Sequence, residues 1–252
     1  MTKVNVYGTD GTVKEKIDLP KVFHTPYRPD IIKKSFEVIQ SNLRQPYGSD
    51  PQAGKSHAVA SVGKGRGMSR VPRLTQGQAA RLAPNVVGGR RAHPPKAIRD
   101  WKEKMNKKEN KMARNSAIAA TADKTIVSQR GHAFGENVTL PVIIDDEFEK
   151  LKKTKEVIEA LEKIGVYDDV IRSMNGTHIR AGKGKRRGRK YRTPKSLLIV
   201  STKGMLKSSS NLSGVDITVP QHLNIEHLAP GGVAGRLTVI TRSALTKLGG
   251  AK

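Results

Sequence analysis

An α/β fold is predicted: a single three-layer globular domain with a mostly parallel sheet, carrying a long extended basic loop. Three observations point there. Short apolar runs of strand length recur between stretches with helical spacing, which is the alternation that a parallel sheet with crossover helices requires. The fifty residues from Pro46 to Pro95 show no periodicity. Positive charge is gathered into two segments that have no core to build.

The elements follow in order. KVNVY and VKEKI flank Thr9-Asp10-Gly11, a hairpin signal between short alternating runs. Pro29-Asp30 opens a helix, with Asp30 as cap and Ile32, Phe36, Ile39 and Leu43 on one face, ending before Pro46. Helical spacing is expected again from Lys96 through Trp101 and Met105 and on through KENKMARNSAIAATAD. LPVII (140–144) is a buried strand, and DEFEKLKKTKEVIEALEKI an amphipathic helix pair with Phe148, Leu151, Ile158 and Leu161 inward. SLLIVST (196–202), VDITV (215–219) and RLTVIT (236–241) are three further strands, with NIEHL and RSALTKL as short helices after the last two. The globular domain is therefore expected from residues 1–45 and 96–252, with residues 46–95 as the extended loop.

Composition narrows the function. The chain of 252 residues carries 47 Lys+Arg against 22 Asp+Glu, a net charge of +25. So strong a field calls for a polyanionic partner, nucleic acid before anionic membrane. With no cysteine, disulfides, thiolate zinc sites and thiol catalysis are excluded. MTKVNVYGTDGTVKEK lacks the apolar core of a signal peptide, no apolar run reaches membrane-spanning length, and a cytosolic protein is expected.

The charge is uneven. Residues 46–99 hold ten Lys/Arg and one acid, Asp50, while residues 180–195 hold nine Lys/Arg and no acid. Together these segments supply eighteen of the twenty-five net charges.

Chemical motifs fail on register. Gly54-Lys55-Ser56 imitates the end of a phosphate loop, but Ser49 stands where the first glycine belongs, and a helix rather than a strand precedes it. GKGRGMSR puts Met68 or Arg70 where a dinucleotide fingerprint needs its third glycine. His222-Leu-Asn-Ile-Glu226-His227 has one residue too many for the metal-binding spacing it suggests. Asp145-Asp146 and Asp168-Asp169 adjoin helix-like runs, where caps are the expected role. No catalytic, metal-ligating or cofactor-binding set emerges.

The basic segments read differently. Glycine alternating with Lys and Arg leaves the backbone without bulk, so amides and cations both approach phosphates. Arg66, Arg70, Arg73, Arg81, Arg90 and Arg91 lie among small residues and prolines. This is a chain to be threaded along a folded nucleic acid, since nothing here forms a groove-reading helix. Ordering it costs about 1–2 kcal/mol per residue in backbone entropy, and little apolar surface offsets that. Residues 46–95 are expected to be largely disordered until a partner binds. The rival reading of the same residues is a nucleotide-using enzyme with an RNA substrate, and a third is an RNA-binding regulator.

GKGRGMSRVPRL, APNVVGGRRAHPPK and NKMARNSAIAATAD, running from Gly63 to Asp123, closely resemble the archaeal form of large-subunit ribosomal protein four, the L-four family. The resemblance implies an α/β domain on the subunit surface and a loop that penetrates ribosomal RNA to the constriction of the nascent-peptide exit tunnel. Carried over by position, Gly65, Arg66, Gly67, Met68, Ser69 and Arg70 form the tunnel-lining tip. RNA contacts then fall to Lys55, Lys64, Arg66, Arg70, Arg73, Arg81, Arg90, Arg91 and His93. Residues 176–195 look like the RNA-binding insertion of archaeal and eukaryotic members, with Lys183, Lys185, Arg186, Arg187, Arg189, Lys190 and Arg192 as its contacts. The implied partners are large-subunit ribosomal RNA, neighbouring large-subunit ribosomal proteins and the nascent polypeptide. No membrane, small-molecule substrate, cofactor or metal is implied, and no catalysis. The segment TQGQAARLAPN departs from the aromatic, glycine-rich eukaryotic version, so partners of that version are not carried over.

Overall fold

The structure is a computed structural model that describes residues 3–203 and 207–250. The chain divides into two compact units. One is Ser41–Glu103, and the other is built from the chain on either side of it, up to Gln40 and from Lys104. In chain order the first elements are β1 (Lys3–Tyr7), β2 (Val13–Asp18), α1 (Pro29–Asn42), β3 (Val59–Ser61), β4 (Pro72–Leu74), α2 (Lys107–Ala120) and α3 (Lys124–Gln129). Next come β5 (Val142–Ile144), α4 (Thr154–Ile164), α5 (Asp168–Asn175), β6 (His178–Ile179) and β7 (Tyr191–Arg192). Last are β8 (Leu198–Val200), β9 (Asp216–Thr218), α6 (Ile225–Leu228), β10 (Thr238–Thr241) and α7 (Arg242–Gly250).

Six strands form one sheet in the order β2-β1-β5-β10-β8-β9. The β1–β2 hairpin is antiparallel; the pairings onward from β1 to β9 are parallel. β2 (VKEKID) is mostly exposed, and its charges suit an edge strand because they discourage pairing with another chain.

Alternation across the pleat gives the sheet two apolar faces. Val4, Val6, Ile143, Leu198, Val200 and Ile240 point to one side, where Ile32 of α1, Ala113 and Ala117 of α2, Ile225 of α6 and Leu245 of α7 cover them. Tyr7, Val142, Ile144, Ile199 and Val239 point to the other, under Val127 of α3 and Val157, Leu161 and Ile164 of α4. This is a three-layer α/β domain. Burying each such aliphatic side chain contributes about 1.5–3 kcal/mol before entropy is subtracted.

Local chemistry explains the boundaries. Pro29 opens α1 with Asp30 in its first turn, the position where a missing N–H and a negative charge are both tolerated. α4 ends where Gly165 takes φ 86° and returns its N–H to Leu161 and Glu162, a glycine-dependent C-cap. Arg236 is fully buried. Its guanidinium donates to Asp216 Oδ2 at 2.7 Å and to the carbonyls of Ser196, Leu197, Gly214 and His227. It thereby ties β8, β9 and the strand leading into β10 together.

Three expectations need correction. Helix begins at Lys107, not Lys96. The Asp100 carboxylate takes the Lys102 N–H at 2.9 Å, a local turn that competes with helix, and Trp101 stacks on Tyr47. Leu43 lies past the end of α1 and is 68% exposed. In the predicted helix pair, residues Asp146–Lys150 form a 3-10 turn. Within α4 the buried seam is Val157, Ala160, Leu161 and Ile164, with Ile158 half-buried beside it.

Candidate nucleic-acid interface

None of the residues from Ser41 to Glu103 is buried, so apolar packing does not set their path. Close backbone crossings do. Gly48 lies against Lys96-Ala97, where a Cβ would come within 2.5 Å of the Ala97 nitrogen, and the Ser49 N–H donates to the Pro95 carbonyl at 3.0 Å. Further along, Gly54 takes φ +76° and a Cβ there would meet the Arg90 Cα and nitrogen at 2.7 Å. The two arms of the excursion thus form a stem. Lys55, Arg90 and Arg91 share one cleft of about 400 Å³, and His93 follows, exposed. Gly54 is glycine because a backbone passes over it, not because a nucleotide phosphate does.

Beyond the stem the expected featureless loop contains a short hairpin. β3 and β4 pair antiparallel, with Ala60 opposite Arg73. Sequence reading missed these strands because VAS and PRL carry no aliphatic run. Arg73 donates to the Gln78 carbonyl at 2.6 Å and to Ser69 Oγ at 3.3 Å. Arg81 donates to the carbonyls of Ala80 and Val87. Both arginines are therefore engaged in folding the segment itself.

The tip differs. Gly63, Gly65 and Gly67 adopt φ of 74°, 79° and 63°, with open space where a Cβ would stand. Lys64, Arg66, Met68, Ser69 and Arg70 are exposed. Among the described residues, no acid pairs with Lys64, Arg66 or Arg70. The single acid nearby in sequence, Asp50, accepts the Gln52 N–H at 2.9 Å.

The second basic segment is a separate hairpin. His178 pairs with Arg192 and Ile179 with Tyr191. A 3-10 turn spans Gly182–Arg187, and Gly188 reverses the chain at φ 74°. Lys183, Lys185, Arg186, Arg187, Arg189, Lys190 and Arg192 are all exposed, and none forms an ion pair among the described residues. Arg180 holds the turn by donating to the Arg189 carbonyl at 3.2 Å, while Lys190 Nζ sits 5.3 Å from the Tyr191 ring centroid. Crowded cations without counter-charges repel one another, and a polyanion relieves the repulsion.

Two features escaped sequence reasoning. Arg44, Tyr47, Arg99 and Trp101 converge into one stack, although the residues span most of the unit in sequence; nothing but the scarcity of aromatics hinted at it. In the α/β unit, Asp169 is fully buried and is not a helix cap. Its carboxylate accepts from His132 Nδ1 at 2.9 Å, Arg172 Nε at 2.8 Å and the Ala133 N–H at 3.0 Å. Burial pushes that carboxyl up, but the His132 and Arg172 hydrogen bonds outweigh it and hold it below the usual range. Burial, aided by nearby Arg236 and Arg172, lowers Arg130 to about 10, and its guanidinium donates to the carbonyls of Pro230 and Val233.

The remaining polar motifs are structural. Asp145 accepts the Asp146 N–H and pairs with Lys14, and Asp146 receives the N–H and hydroxyl of Ser243. His227 Nδ1 accepts the Asn224 N–H in a capping box. Among the described residues no cluster of His, Asp and Glu could hold a metal ion, and no helix is long and apolar enough to cross a membrane.

Residues 17–251 match the model of the ribosomal protein L4/L1 family. The large ribosomal subunit protein uL4 of Methanocaldococcus jannaschii is 52% identical over 248 residues, covering 98% of each chain. That of Methanococcoides burtonii is 50% identical over 252 residues and 99% of each chain. That of Thermoplasma acidophilum is 46% identical, covering 98% of this chain and 97% of its own.

Proposed function

The chain belongs to the ribosomal protein L4/L1 family, and from that premise we propose that it binds large-subunit ribosomal RNA and helps shape the nascent-peptide exit tunnel. It is a structural ribosomal protein of the large subunit in the cytoplasm, not an enzyme; its relatives are named as large-subunit proteins. Its partners are ribosomal RNA and neighbouring ribosomal proteins.

One observation supports the RNA reading most. A segment without a buried residue presents Lys64, Arg66 and Arg70 on a glycine-rich tip with no acid paired to them among the described residues. Residues 46–95 are proposed as the RNA-penetrating loop and 176–195 as a second RNA-binding hairpin in the α/β domain. Lys55, Arg90, Arg91 and His93 meet RNA at the stem. Lys183, Lys185, Arg186, Arg187, Arg189, Lys190 and Arg192 do so at the hairpin. Arg73 and Arg81 act on RNA chiefly by shaping the loop. Each neutralised phosphate releases condensed counterions, so affinity falls steeply with salt. The tip, Gly65-Arg66-Gly67-Met68-Ser69-Arg70, lies at the tunnel wall, where glycines narrow the passage without plugging it, and Arg66 and Arg70 face the passing peptide.

Sedimentation of cell lysate on sucrose gradients at moderate and high salt tests the assignment. Retention with the large subunit through high salt is expected, and a protein left at the top of the gradient would refute it. The tip assignment is tested by exchanging Arg66 and Arg70 for Glu, which is expected to impair subunit assembly or peptide passage. Normal assembly and translation would sink it.

A further inference from the structure

We propose that Tyr47 and Trp101, flanked by Arg44 and Arg99, form a stacking site for one unpaired nucleobase of the bound RNA. The inference rests on the RNA-binding reading and specifies a ligand for a part of the loop unit that carries no glycine-rich motif. Tyr47 and Trp101 are the only Phe, Tyr or Trp residues between Ser41 and Glu103, and the fold brings them face to face with ring centroids 5.2 Å apart and planes 25° from parallel. Two guanidinium groups join them, Arg44 at 4.4 Å and Arg99 at 5.0 Å from the centre of the indole.

What these groups do not do is as informative. Asp100 and Glu103 lie within a few residues of Arg99, yet neither Arg44 nor Arg99 forms an ion pair among the described residues. The Asp100 carboxylate takes a backbone N–H instead. Two cations on one ring repel each other and favour an anion alongside. Tyr47 is 58% exposed, and Trp101 is its one aromatic partner among the described residues. An anchor that served packing alone would bury its ring. An exposed tyrosine stacked on an indole, with guanidinium groups beside it that form no ion pair among the described residues, is how single-stranded nucleotides are held: the base extends the stack and its phosphates meet the arginines. Such a site tolerates any base, because every base has a π-face.

The chain has one tryptophan, so its emission reports on this stack. The full chain is titrated with a labelled short oligoadenylate and with an abasic ribose-phosphate oligomer of equal length, following anisotropy and tryptophan emission together. Oligoadenylate is expected to bind about tenfold more tightly than the abasic oligomer and to shift the emission, which the abasic oligomer leaves unchanged. Tyr47→Leu should reduce oligoadenylate affinity to the abasic level without weakening the abasic oligomer. Tyr47→Phe, which keeps the ring, should retain the preference and guards against misfolding of the leucine variant. Equal affinities with unchanged emission, or a full preference surviving in Tyr47→Leu, would overturn the stacking site while leaving RNA binding intact. Failure of both oligomers to bind at low salt would overturn the RNA reading itself.

Discussion

Replacing Gly54 with alanine should open the loop stem, and the structure sets the size of the effect. Gly54 holds φ +76°, a conformation costing a side chain about 1–2 kcal/mol. An added Cβ would stand 2.7 Å from the Arg90 Cα and nitrogen and 2.8 Å from the Gly89 carbonyl carbon. These are backbone atoms that cannot swing aside, and relieving such overpacking costs about 1–3 kcal/mol. The sum is about 3 kcal/mol, or about a hundredfold in affinity for a partner that needs the stem closed. Gly63 is the control: its φ is +74°, yet a Cβ there meets nothing within 4 Å. Only the conformational cost remains, so Gly63→Ala should lose about fivefold to thirtyfold. The assay is equilibrium binding of each variant to in vitro transcribed large-subunit ribosomal RNA at one fixed salt concentration. Equal losses for the two variants would refute the argument that the crossing with Gly89-Arg90 requires glycine at position 54.

Three more expectations follow from other parts of the molecule. Arg236→Met should destabilise the α/β unit by about 3–5 kcal/mol in urea, because it leaves the Asp216 carboxylate and four carbonyls short of a donor; an unchanged midpoint would show that water replaces the guanidinium. Burial holds His132 below its ordinary range, so the unfolded chain binds that proton more readily and stability falls as pH drops below about 6.5. Asp169, also held low, adds a second loss once pH falls below about 4. Thermal unfolding across this range should show both, and His132→Asn should remove the first alone. Exchanging Arg186, Arg187 and Arg189 for Gln should reduce the slope of log affinity against log salt by about 2–3 while leaving thermal stability unchanged; an unaltered slope would remove this hairpin from the interface.

The α/β domain was legible because its signals are periodic. The alternating run KVNVY and the runs LPVII, SLLIVST, VDITV and RLTVIT each contain a strand of the main sheet, since burial on both faces of a parallel sheet demands aliphatic runs. Trp101 and Met105 misled because helical spacing over two residues is weak against an Asx turn at Asp100. Strand order was beyond reach: the pairing of β10 between β5 and β8 depends on contacts far apart in the chain. In the loop, charge and glycine marked the basic segment, but not the division of labour among its arginines. Arg66 and Arg73 look alike in sequence; only the fold turns Arg73 toward Gln78 and leaves Arg66 without an ion pair among the described residues.

That division bears on how the loop keeps its shape. The bonds from Arg73 and Arg81 to loop oxygens are mostly exposed, and each contributes only about 0.5–1.5 kcal/mol. A few of them cannot match an ordering cost of about 1–2 kcal/mol per residue over a segment that buries no side chain. The glycine crossings restrict which paths the chain takes but add no attraction. Phosphates meeting Lys64, Arg66, Arg70, Arg90 and Arg91 can supply the deficit, because each contact replaces cation repulsion with a charge-assisted bond and releases counterions. Polar contacts within the loop therefore select its conformation, and on the proposed reading it is the RNA that makes that conformation stable. The cations proposed to meet RNA also keep the unbound segment from collapsing into a core of its own.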